Sequence, residues 1–101
     1  MAVLRFDMEG VLWHLLAGTR GGPNRAAILR LLAKRPYNLH QMARSLNVGY
    51  KTIIHHVEVL VRNDLVECTP EKRYGEMYYL TPLAREHLAH IERIVQDLEK
   101  S

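Results

Sequence analysis

The apolar residues of this chain recur at spacings of three and four through most of its length, and the breaks fall at glycine, proline or amide side chains. Met8, Val11, Leu12, Leu15 and Leu16 form one such stripe. It predicts a helix over 7–17, with Asp7 as N-cap and Phe6 and Val11 in hydrophobic-staple positions. Gly18-Thr19-Arg20-Gly21-Gly22-Pro23 ends that helix and turns the chain. A second helix is expected over 24–35, with Ile28, Leu31 and Leu32 inward and Pro36 as its stop. Asn38 and Gln41 have the spacing of a capping box and open a short helix over 39–46, with Met42, Ala43 and Leu46 inward. Asn47-Val48-Gly49 is a three-residue turn. Gly49 then N-caps a longer helix over 50–63, whose core side is Ile53, Val57, Leu60 and Val61. Asn63 and Asp64 end it, both being tolerant of left-handed backbone.

Beyond Asp64 the period changes. Leu65–Thr69 and Met77–Leu80 read as strands, joined by the polar loop Pro70–Gly75, with Gly75 suited to a positive φ. Thr81-Pro82 opens a last helix over 82–100, where Ala84, Leu88, Ile91, Val95 and Leu98 follow a 4-3-4-3 spacing, the pattern of a heptad seam. The expected architecture is a single domain over 1–101: a mainly α, α+β winged helix. Its helix-turn-helix covers 39–63 and its hairpin 65–80, with the two terminal helices flanking it for dimerisation. Leu12, Trp13, Leu16, Leu88, Ile91, Val95 and Leu98 are the expected interface of that homodimer.

Composition narrows the classes. The 101 residues are 48% hydrophobic and 25% charged, as in an ordinary globular domain, and the formal charge of +3 suits a polyanionic partner without demanding one. No apolar run approaches the length of a membrane span, and Arg5, Asp7 and Glu9 interrupt the N-terminal apolar patches, which therefore do not read as a signal peptide. One cysteine, Cys68, cannot form an internal disulfide, so a reducing, cytoplasmic setting is expected, with Cys68 a small buried residue on its strand. Enzyme chemistry has no support: there is no glycine-rich phosphate loop, nucleophile elbow or metalloprotease histidine pair.

The pair of helices over 39–63 carries the functional expectation. Ala43 is small enough to let the second helix cross closely over the first, and Leu46, Val48 and Ile53 lock the angle across the turn. Such a crossing presents the N-terminal half of the second helix to double-stranded DNA. Tyr50, Lys51, Thr52 and His55 are expected to read or position the major groove, and Ile54 could meet a thymine methyl. Arg44 and Arg62 stand at the flanks, while Lys72 and Arg73 at the hairpin tip would touch the backbone. His56 is expected to support this helix by packing or hydrogen bonding. The alternative is a winged-helix adaptor of the transcription machinery that binds protein and has no sequence-specific affinity for DNA.

At these residues the chain resembles the ArsR-like winged helix-turn-helix transcription regulators, especially their small archaeal members. The likeness runs through residues 18–67 and resumes over 78–88. Within it, His56-Val57-Glu58-Val59-Leu60 matches the family's H-L-x-x-L pattern with valine in place of its leucine. The resemblance implies a dimer with terminal helices at its interface and two recognition helices on one DNA face. The cysteine pair of the family's metal sensors is missing, so thiolate sensing is not carried over, and neither a metal nor another cofactor is expected. Among the histidines only His87 and His90, with Glu86 nearby, have a spacing that could share an ion, and a solvated helix face is the commoner arrangement.

Overall fold

The computed structural model describes residues 7–71 and 75–100. Phe6, Lys72 and Arg73, and the staple and hairpin-tip expectations that rest on them, lie outside the described residues. In chain order come α1 (Met8–Leu16), α2 (Gly22–Lys34), α3 (Leu39–Leu46), α4 (Tyr50–Arg62), β1 (Val66–Glu71), β2 (Gly75–Leu80), α5 (Pro82–Glu86) and α6 (Leu88–Lys100). The element order follows the apolar pattern. Three local details differ from it.

Asp7 sits at the N-cap of α1 but accepts no capping hydrogen bond. The helix is held by its buried stripe of Met8, Leu12, Leu15 and Leu16. Helix α2 begins at Gly22, two residues before the expected start at residue 24, because Gly22 permits it: a Cβ there would lie 2.0 Å from the Leu16 carbonyl oxygen. Only glycine lets α2 start against the end of α1. The third difference is the last helix, which is two helices. The His87 ring Nδ1–H donates to the Leu83 carbonyl at 3.0 Å, the acceptor that a continuous helix would reserve for the His87 backbone N–H. That N–H turns to Ala84 instead, with φ −106° and ψ 14° at His87.

One core runs through the molecule. Leu12 and Leu16 of α1, Ile28, Leu29 and Leu32 of α2, Met42 of α3, Ile53 and Leu60 of α4, and Ile91 and Ile94 of α6 are all essentially inaccessible to water. Antiparallel β1 and β2 pair from Val66 opposite Leu80 to Glu71 opposite Gly75, and Gly75 takes the positive φ of 76° expected of it. The segment between α2 and α3 joins this sheet. Tyr37 exchanges both backbone hydrogen bonds with Tyr78, at 3.1 and 2.8 Å, while the Arg35 guanidinium lies 3.7 Å over its ring. Thr81 ties hairpin to helix: its hydroxyl accepts from the Ala84 N–H at 3.0 Å and donates to the Asp64 carbonyl at 2.8 Å. Among the described residues no helix is long and apolar enough to cross a membrane.

Candidate nucleic-acid interface

Helices α3 and α4 are fixed by their ends. The Asn38 side chain accepts from the Gln41 N–H at 2.8 Å and the Gln41 side chain from the Asn38 N–H at 2.9 Å, completing the capping box. Asn47 closes α3 in left-handed conformation, φ 54° and ψ 47°, and the Val48 N–H reaches back to the Ala43 carbonyl at 3.0 Å. At the far end of α4, Asp64 adopts φ 61°. The Leu65 N–H bonds to the Leu60 carbonyl and the Asp64 N–H to that of Val61, both at 3.0 Å. This is a Schellman closure, and Leu60 and Leu65 supply its apolar contact. Gly49, the N-cap of α4, has no side chain to take up the first-turn N–H groups, so the positive end of the helix dipole is left facing outward.

The outer face of α4 carries Lys51, Thr52, His55, Glu58 and Arg62, all exposed. Lys51, His55, Glu58 and Arg62 form one stripe at helical spacing. Lys51 and His55 lie on its first two turns, and Glu58 sits about 10 Å beyond Lys51 along the axis. The carboxylate thus separates Lys51 and His55 from Arg62. Tyr50 is 39% exposed and stacks on His40 of α3, ring centroids 4.3 Å apart and planes 17° apart. The sequence reading overlooked His40. Nothing in a linear pattern marks a stack that only the helix-turn-helix crossing creates. Arg44 is exposed on α3.

Ile54 is half-buried, in a groove of about 380 Å³ between α4 and the hairpin that Leu39, Val57, Val61 and Tyr78 also line. Val61, expected in the core, is 41% exposed on the same groove, because Leu60 and Leu65 already fill the core at this end of α4. Cys68 is likewise exposed and not buried. Its thiol donates to Glu76 Oε2 at 3.1 Å, and that hydrogen bond, ahead of burial, pushes the thiol's pKa up. His87 is engaged with Leu83, and no group of three or more His, Cys, Asp or Glu side chains among the described residues could hold a metal ion.

His56 is buried and bonded to a side chain the sequence reading missed altogether, Arg25 of α2. Among the residues expected at a dimer interface, Leu12, Leu16, Ile91 and Val95 pack inside their own chain, and the seam is interrupted at His87. Leu88 and Leu98 are half-buried, and Trp13 stands 51% exposed on α1.

A three-helix core with a tight α3–α4 turn, a following antiparallel hairpin and a tyrosine bridge to it define a winged helix-turn-helix domain. Residues 22–67 match the family described as "Bacterial regulatory protein, arsR family", a segment that contains α2, α3, α4 and the turn into β1. No match was found among curated protein sequences. Solved structures share the fold. The transcriptional regulator BldR from Sulfolobus solfataricus superposes with a TM-score of 0.72 at 17% identity, over 90% of this chain and 66% of its own. The transcriptional repressor CouR, bound to a 23-mer DNA duplex, gives 0.69 at 22% identity, over 84% of this chain and 62% of its own. The transcriptional repressor BigR from Xylella fastidiosa gives 0.66 at 20%, over 79% and 76%. The chain therefore spans less than two thirds of the length of the first two.

Proposed function

We propose that the protein is a cytoplasmic transcription regulator that binds double-stranded DNA as a dimer, with α4 in the major groove. The observation that carries this reading is the outer face of α4, where Lys51, Thr52 and His55 project beside an uncapped helix N-terminus and end at Glu58. Tyr50 and Arg44 flank that face, Arg62 reaches a neighbouring stretch of backbone, and Lys72 and Arg73 meet phosphate from the hairpin tip. Support comes from the family to which residues 22–67 match and from the CouR fold, solved on a DNA duplex. One helix-turn-helix alone holds DNA weakly, so a second copy is proposed to join through the terminal helices, with the exposed Trp13 of α1 as its main apolar contact. Fluorescence anisotropy of a labelled mixed-sequence duplex, titrated with protein across 50–300 mM salt, tests this reading. Contacts to several phosphates make log affinity fall linearly with log salt, with a slope of several units. No duplex binding at the lowest salt would sink the proposal and favour a protein partner for the same face.

A further inference from the structure

Arg25 is only 5% exposed, and no carboxylate pairs with it among the described residues. Its guanidinium is held by neutral acceptors from three parts of the chain. Nε donates to the Leu15 carbonyl near the end of α1 at 3.0 Å, Nη2 to the Thr19 hydroxyl in the connecting loop, and Nη1 to His56 Nδ1 in the middle of α4 at 3.2 Å. The loop backbone closes over the pair: a Cβ on Gly21 would stand 2.6 Å from Arg25 Nη1 and 2.7 Å from His56 Cε1. The other inward residues of α4, Ile53, Val57 and Leu60, are apolar. Apolar packing sets how deep a helix sits but is non-directional, whereas a hydrogen bond fixes its rotation.

We propose that Arg25 is the positioning residue of α4, its bond to His56 setting the helix rotation that aims Lys51 and His55, and that this bond makes the aim acid-sensitive. The DNA part of this inference rests on the function proposed above; the positioning part does not. Nδ1 accepts the Arg25 hydrogen bond only while the ring is neutral. A proton there sets N–H against N–H and two cations 3.2 Å apart away from water. Burial first, then the charge of Arg25, then that of His55, hold the His56 pKa below its ordinary value. The unfolded chain takes up this proton near pH 6.5 while the folded chain resists it. The stabilisation is therefore complete above that pH and is lost as pH falls from there through the folded pKa. The charged groups facing His56 are Arg25 from α2 and His55 from α4 itself, whose ring centroid is 5.3 Å away. The end of α1 and the connecting loop supply Arg25 with the Leu15 carbonyl and the Thr19 hydroxyl, and Gly21 lies against both side chains.

His56→Asn sets an amide oxygen near the position of Nδ1, keeping an acceptor that takes no proton. Histidine ring signals and the α4 backbone amides are followed by NMR from pH 7.5 to 5 in the wild type without DNA. Duplex affinity is measured over the same range for both proteins. The two proteins differ only at residue 56, so the ratio of affinities reports on His56. The expected result is that the amides of residues 50–62 shift together with the His56 ring, and that wild-type affinity falls at least about tenfold relative to His56→Asn. Amides that do not follow the ring, or a ratio constant with pH, overturn the proposal. Should neither protein bind any duplex, the proposed function fails, and the wild-type NMR titration alone decides the positioning role.

Discussion

Gly10 and Gly22 are both helical glycines, and a methyl group added to each meets a different neighbour. At Gly10 the new Cβ lies 2.8 Å from Asp7 Oδ2, the mobile end of an exposed side chain that makes no cap. At Gly22 it lies 2.0 Å from a backbone oxygen of Leu16, which can yield only by parting α1 from α2. Helix propensity favours alanine at interior helical positions by about 1 kcal/mol, so Gly10→Ala is expected to stabilise the fold by up to that amount. Gly22→Ala is expected to destabilise it by about 2 kcal/mol or more, the overpacking cost outweighing any propensity gain. Urea unfolding of the two variants checks this, and a Gly22→Ala protein as stable as wild type would show that α1 does not press on α2 as described. Arg25 belongs to the same junction. Its burial is tolerated because the Leu15 carbonyl near the C-terminus of α1, where the helix dipole favours a cation, is one of its acceptors.

The elements were legible wherever a local rule decides the backbone. Asn38 with Gln41, Gly49 before Tyr50, Gly75 and Thr81-Pro82 each act within four residues, and each behaves as its chemistry dictates. The misreadings arose where a distant partner decides. A 4-3-4-3 spacing cannot reveal that His87 diverts the Leu83 carbonyl, nor that Ile91 and Val95 are consumed by α1 and α2 of the same chain. Arg25 was invisible for the same reason: its acceptors at residues 15, 19 and 56 meet only after folding. Cys68 read as core by residue type and Val61 by its place in the helical pattern, yet each lies on the α4–hairpin groove. In the candidate site, exposure of Lys51, Thr52 and His55 followed from the helical period, while the His40–Tyr50 stack depended on the crossing of two helices.

At the scale of the molecule, the same helices serve as core and as proposed interface, and the two uses fall on different residues. Ile91→Lys would place a charge in the chain's own core, so it would unfold the protein without reporting on association. Trp13 separates the two, being 51% exposed while Leu12 beside it is inaccessible. Trp13→Ala is expected to leave the fold intact and weaken self-association by about 2 kcal/mol or more, roughly thirtyfold, as removal of a central interface tryptophan does. Sedimentation equilibrium reads this directly, and an unchanged dimer constant would move the interface elsewhere.

The first two turns of α4 are proposed to read base edges while charges elsewhere hold phosphate. A base contact is worth about 1–3 kcal/mol on the preferred site and much less on random sequence, whereas a phosphate contact strengthens every duplex alike. The most direct measurement is the affinity of wild type, Lys51→Ala and Arg73→Ala for a site selected from random duplexes and for a scrambled control, each across a range of salt. Lys51→Ala should shrink the ratio between the two duplexes by about tenfold. Arg73→Ala should weaken both equally, preserve the ratio and lower the salt slope by about one. A Lys51→Ala protein that keeps the full ratio, with Arg73→Ala losing it, would contradict the assignment of α4 as the reading helix.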